Sequence, residues 1–214
     1  LEIGCGWGGF AEFAAGEVGA RVTGITISQE QYDFARRRIF EAGLSERADI
    51  QLIDYRDVQG RFDRVASIEM FEAVGREYWL TYFRKLHQFL QPDGRAGLQI
   101  ITIQDQLFEE YQARTDFIQK YVFPGGTLPS EEALAQVVSQ TGLRQDQIIR
   151  FGLDYADTLA EWRDRFETSW SMIEATDPKF DYRFKRLWLF YLAYCEAGFR
   201  SSRTDVIQIG LHAH

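Results

Sequence analysis

Apolar residues in the first half of the chain come in short runs, each closed by a polar or glycine-bearing stretch. Residues 1–3 (Leu-Glu-Ile) run straight into glycines and read as the end of a buried strand. Residues 21–27, 49–53, 62–68 and 96–103 are of strand length and rich in β-branched side chains. Helices are expected between them: one from Phe10, one over 29–42 and one over 77–90. The second carries Tyr32, Ala35 and Ile39 at helical spacing, and Ser28 with Gln31 fits a capping box at its start. Pro92-Asp93-Gly94 is a turn signal after the third helix. Such alternation predicts an α/β fold, a doubly wound parallel sheet with helices on both faces. After Ile103 the rhythm changes. Helices are expected over 105–119, 131–141, 158–171 and 180–199, strands over 147–151 and 205–211, and a loop over 121–126.

Ligands of such sheets bind beyond the carboxyl ends of the strands. The polar stretches 4–9, 26–31, 54–57 and 69–75 all fall there, which predicts one site. In the first stretch Gly4, Gly6, Gly8 and Gly9 lie between a strand and a helix, so a ligand can approach bare backbone at a helix N-terminus. Gly4-x-Gly6-x-x-Gly9 also fits the dinucleotide fingerprint. Two features favour S-adenosylmethionine instead. Glu2 gives the form acid-x-Gly-x-Gly-x-Gly, and the second strand ends Gly24-Ile25-Thr26-Ile27-Ser28 without the ribose-binding carboxylate of dinucleotide enzymes. The candidate cofactor residues are Glu2, Gly4, Gly6, Gly8, Thr26, Ser28, Gln31, Tyr55 and Arg56.

The chain has 214 residues, 45% hydrophobic and 15% aromatic, enough for a large core. Its net charge of −8 argues against nucleic acid as a partner. Arg36-Arg37-Arg38 reads as a solvated helix face. Cys5 and Cys195 make no disulfide framework, so a reducing, cytoplasmic setting is expected. His87, His212 and His214 are scattered and suggest no metal site, the last two reading as the frayed end of a strand. No apolar run is long enough to span a membrane and no signal peptide is visible. Lacking an initiator Met and opening inside a strand, the sequence reads as a fragment of a longer protein.

Beyond the glycines, further stretches carry a family likeness. They are 24–31, Asp54-Tyr55-Arg56-Asp57, 67–75 with its Met70-Phe71-Glu72 turn, Phe123-Pro124-Gly125-Gly126 within 121–130, Asp154-Tyr155 with Thr158-Leu159, and 195–200. With them the chain resembles the cyclopropane fatty acid synthases, including the mycolic acid cyclopropane synthases, over essentially its whole length. The resemblance implies a class I, Rossmann-like methyltransferase with a helical substrate-covering insertion. It divides the single domain into a cofactor core (1–104), a helical acyl-substrate region (105–200) and a final strand (201–214). It also implies the reaction, in which the donor methyl moves from S-adenosylmethionine onto the cis double bond of an unsaturated phospholipid acyl chain. A carbocation results, and loss of a proton from the new methyl closes the ring. Such a cation needs a dry pocket and electron-rich faces. Tyr121, Phe123, Tyr155, Trp162, Phe166, Trp188 and Tyr191 offer rings for this.

In the family a bound bicarbonate takes the proton. The resemblance carries that role to Glu72, Tyr155 and the backbone around Ile68. Gln99 stands where the family has His, and it can hydrogen-bond an anion without titrating. The family's active-site cysteine and capping helices precede the glycine motif, which here opens the chain. A methyl- or methylene-branched product, a soluble small-molecule substrate and a non-catalytic cofactor-binding fragment are the rival readings. Contact with the membrane periphery is expected through basic residues such as Lys179, Arg183, Lys185 and Arg186, and a homodimer stays open.

Overall fold

The structure is a computed structural model and describes residues 1–213; His214 lies outside the described residues. β1 (Glu2–Ile3), β2 (Val22–Thr26), β3 (Ala48–Leu52), β4 (Phe62–Ile68) and β5 (Leu90–Ile103) pair in the order 3-2-1-4-5, every contact parallel. β6 (Leu143–Arg150) and β7 (Thr204–Ala213) complete a seven-stranded sheet, with β7 lying between β5 and β6. The doubly wound sheet expected from the alternation is therefore present.

Connections in the first half are α1 (Gly9–Gly16), α2 (Gln29–Glu41) and α3 (Trp79–Phe89). Ser28 caps α2, its hydroxyl accepting the Gln31 N–H at 3.2 Å. Only that half of the capping box forms, because the Gln31 side chain is engaged by Thr26 instead. β5 begins earlier than the sequence indicated. Pro92-Asp93-Gly94 turns without ending the strand, for the register passes from Phe62↔Leu90 to Arg64↔Arg95 across a bulge. Asp93 takes φ +65° there, and a Cβ on Gly94 would sit 2.8 Å from the Gln91 carbonyl.

The second half holds α4 (Asp105–Gln112), α5 (Phe117–Tyr121), α6 (Glu131–Val138), α7 (Gly152–Thr168), α8 (Trp170–Glu174) and α9 (Tyr182–Arg200). The single helix expected over 105–119 is two, since Asp116 and Gln119 form a capping box that starts α5 afresh. α7 begins ahead of its predicted start, where the Gly152 N–H donates to Asp205 Oδ1 at 2.8 Å. β6 also starts earlier than expected; most of its residues are exposed, so no apolar alternation marks it.

The chain forms two compact units. One comprises Leu1–Ile100, Leu134–Ile148 and the chain from Gln208; the other comprises Ile101–Ala133 and Ile149–Ile207. Small residues dominate one core of the first unit: Ala11, Ala14, Ala15 and Ala35 pack with Ile39 and Ile50. A second cluster there is aromatic, with Phe71 5.2 Å from both Tyr82 and Phe83. The second unit is built on Ala156, Leu159, Leu192, Phe199 and Val206, flanked by the rings of Tyr155, Phe166, Trp188 and Tyr191. Among the described residues no helix is long and apolar enough to cross a membrane.

Candidate active site

The first unit places polar groups at the carboxyl ends of four adjacent strands, β3, β2, β1 and β4. After β1, Gly4, Gly6 and Gly8 take φ of +79°, +51° and +81°. The Gly4 and Cys5 N–H groups both donate to the Ile25 carbonyl, at 3.0 and 2.8 Å, which pins the loop to β2. A Cβ on Gly8 would lie 2.9 Å from that of Ala35, so glycine is needed there for space as well as conformation. A Cβ on Gly6 would meet nothing within 4 Å, which leaves an open cradle over the loop. No side chain caps the N-terminus of α1, so no capping group competes with an outside acceptor for its first N–H groups.

Glu2 is buried at the floor of this loop, and its Oε2 has no hydrogen-bond partner. Burial pushes the carboxyl up to about 7. A buried carboxyl beside uncapped N–H groups and an open glycine cradle fits a ligand that brings hydroxyl donors, as a ribose does.

Thr26, Ser28 and Gln31 form a small closed circuit at the end of β2. Thr26 Oγ1 donates to Gln31 Oε1 at 2.7 Å and accepts the Ser28 N–H at 3.1 Å. After β3, Tyr55–Asp57 form a short 3-10 turn. The Arg56 guanidinium grips the Asp54 carboxylate at 2.8 and 2.7 Å and holds it below the usual carboxylate range. The Tyr55 ring is half-buried, edge-on to Tyr82 with centroids 5.5 Å apart.

Ile68 ends β4 and is 40% exposed. Glu69 follows at φ +52°, its N–H donating to the Gln99 carbonyl at 2.9 Å. Gln99 Nε2 donates to Glu69 Oε1 at 2.8 Å, and Gln208 Nε2 donates to Gln99 Oε1 at 2.9 Å. Both ends of the Gln99 amide are thereby oriented. Sequence reasoning gave Glu69 no role and passed over Gln208. The signal for Glu69 was a carboxylate next to a strand end; nothing marked Gln208, which pairs across 109 residues. Glu72 is half-buried on the 3-10 turn Phe71–Ala73, which buried Phe71 anchors among Trp79, Tyr82 and Phe83. Tyr155 belongs to the other unit, on α7, its ring 5.1 Å from Phe199 and 6.3 Å from Trp162. Cys5 and Cys195 are free thiols that burial pushes up to about 12, which makes them packing residues. Among the described residues no cluster of His, Cys, Asp and Glu could hold a metal ion.

This arrangement of strands and loops has relatives. Residues 1–209 match the mycolic acid cyclopropane synthetase family. The chain belongs to that family. It is 44% identical over 209 residues to the tuberculostearic acid methyltransferase UfaA1 of Mycobacterium tuberculosis, covering 97% of this chain and 48% of that protein. It is 37% identical over 214 residues to the cyclopropane-fatty-acyl-phospholipid synthase of Escherichia coli K12, covering 98% of this chain and 52% of the other. The chain thus spans about half the length of these curated relatives. Among solved structures, the mycolic acid cyclopropane synthase CmaA1 complexed with SAH and CTAB superimposes with a TM-score of 0.90 at 26% identity, over 99% of this chain and 76% of that one. The fold is accordingly the Rossmann-like class I methyltransferase fold of the cyclopropane synthases.

Proposed function

We propose that the protein moves the methyl carbon of S-adenosylmethionine onto the cis double bond of an unsaturated, phospholipid-linked acyl chain. The observation that carries this is the open glycine cradle above buried Glu2, in a chain that matches a lipid-modifying family from residue 1 to 209. A solved relative at TM-score 0.90 holds SAH. Gly4, Gly6 and Gly8 would let the cofactor lie against backbone, Glu2 would accept its hydroxyls, and Tyr55 would flank its base. Thr26, Ser28, Gln31 and Arg56 act by shaping the strand ends that frame it. When bound, S-adenosylmethionine supplies an electrophilic methyl carbon.

The chain's own residues then manage the cation formed on the acyl chain. The rings of Tyr121, Phe123, Tyr155, Trp162, Phe166, Trp188 and Tyr191 in the second unit would exclude water and offer π faces. Glu72, Gln99 and the backbone at Ile68, all in the first unit, would hold a bicarbonate that removes the proton. Gln99, oriented by Gln208, offers that anion an N–H hydrogen but no titratable proton of its own. The protein would work in the cytoplasm at the membrane periphery.

A second reading has support of its own. The relative at 44% identity is a tuberculostearic acid methyltransferase, and Gln99 replaces the expected His. A methyl- or methylene-branched chain is therefore the competing product. Incubating the whole protein with methyl-labelled S-adenosylmethionine and vesicles of unsaturated phospholipid, then analysing the acyl chains by NMR, decides between them. Cyclopropane proton signals with loss of the alkene are expected. Branched chains would favour the second reading, and unlabelled lipid despite cofactor binding would refute both.

A further inference from the structure

The outer face of α9 is unusual in chemistry. A surface helix of a water-soluble protein normally shows charged and polar side chains of both signs to solvent. The exposed positions of α9 follow one stripe at spacing of four, Tyr182, Arg186, Phe190 and Tyr194, with Arg183 beside them and two alanines and the ion-paired Arg200 further on. Tyr182 is 71% exposed and Phe190 53%. No Asp, Glu, Asn, Gln or Ser lies on the stripe. In a chain of net charge −8, the side chains that α9 itself places on this stripe, its alanines aside, are cations and rings.

Its cations are available. Of the four basic residues singled out in the sequence, Lys179 is paired with Asp177 at 3.1 Å, and Lys185 sits 5.3 Å from the centre of the Trp170 ring. Two acids border the stripe: Asp181 accepts the Phe184 N–H and caps the helix, and Asp116 Oδ2 accepts the Tyr194 hydroxyl at 3.4 Å. Arg183 and Arg186 are exposed and form no ion pair among the described residues. Phe190 and Tyr194 rest on Phe117, with centroids at 4.6 and 5.8 Å, so the face is backed by α5 and held rigid.

We propose that this face of α9 docks on an anionic lipid surface. Tyr and Phe side chains suit the boundary between headgroups and acyl chains, and arginines pair with lipid phosphates. Charge complementarity singles out an anionic surface over a neutral one. The proposal rests on the lipid-directed activity above only for its choice of partner, and it concerns binding, not chemistry.

The test is co-sedimentation of the whole protein with two kinds of vesicle, phosphatidylcholine alone and an equal mixture with phosphatidylglycerol. Binding to the mixed vesicles is expected to exceed binding to the neutral ones. It should fall about 30-fold in Arg183→Gln/Arg186→Gln, from roughly 1 kcal/mol per basic residue at the surface. Tyr182→Ser/Phe190→Ser should weaken binding to both vesicles. S-adenosylhomocysteine affinity, read by calorimetry, and labelling of detergent-dispersed lipid should stay at the wild-type level in both variants. Wild-type protein that ignores headgroup charge, or double variants that sediment unchanged, would overturn the proposal. A change in oligomeric state in those variants would assign the face to a protein contact and overturn it as well. Vesicle binding that behaves as expected without any lipid labelling would refute the proposed activity and leave this docking face standing.

Discussion

Between β1 and α1, three glycines of positive φ follow the buried Glu2 carboxyl in the candidate site, whereas between α7 and α9 no glycine takes positive φ and the packing is made of rings. The first region is specified by backbone shape: one added Cβ closes it. The second is specified by side-chain surface. Phe180 just before α9, then Phe184, Trp188 and Tyr191 along it, succeed one another with centroids 5.0, 5.8 and 5.1 Å apart, each ring only partly buried. A site of the first kind fails abruptly on substitution. A surface of the second kind degrades by degrees, because each ring contributes separately.

The sharpest break in that comparison is Gly8→Val. It combines a positive φ with a clash against Ala35 and should cost roughly 3–5 kcal/mol in urea unfolding, with cofactor binding lost. Gly6→Ala, with open space around it, should cost only about 1 kcal/mol of stability while still blocking the cradle. Equal destabilisation by the two would refute the role given to the Gly8–Ala35 contact.

Trp188→Ala comes next. The ring is half-buried, so the loss should be about 2 kcal/mol, below the 3–5 typical of a fully buried aromatic. Thermal melting reads it, and S-adenosylhomocysteine affinity should stay within about twofold, since the glycine loop belongs to the other unit. A large loss of cofactor affinity would contradict that separation.

Glu2 provides a smaller effect with a definite sign. Its carboxyl is pushed from 4.5 to about 7 in the folded chain. Between those values the native state keeps a proton that the unfolded state has lost, so this group's contribution to stability falls as pH rises through the window. Ligand hydroxyls favour the carboxylate, so cofactor binding near pH 6.5 should release part of a proton. Calorimetry in buffers of differing ionisation enthalpy measures that release, and Glu2→Gln should abolish it. Arg56→Ala should be the mildest change, with a urea midpoint close to wild type, because the arginine is exposed and water screens its pair with Asp54.

The alternation of short apolar runs and helical segments was enough to read the parallel sheet and the polar stretches at four of its strand ends. Local signals were read correctly where local chemistry decides the outcome, as at Ser28 and the glycine loop. Pro92-Asp93-Gly94 misled because a turn and a bulge share the same residues, and only strand pairing distinguishes them. β6 was misplaced because an exposed strand leaves no apolar alternation. The Gln99–Gln208 contact escaped notice because hydrogen bonds between remote strands have no sequence period. Gln31 was read as half of a capping box, but Thr26 competes for its side chain from the preceding strand.

The most direct measurement uses trideuteromethyl S-adenosylmethionine, the whole protein and unsaturated phospholipid vesicles, with deuterium counted in the product chains by mass spectrometry. The account predicts acyl chains one carbon heavier that retain two deuterium atoms and carry no alkene at that position, because the new carbon loses one deuteron as it closes onto the chain. Chains retaining all three, or label found only in water-soluble products, would contradict it.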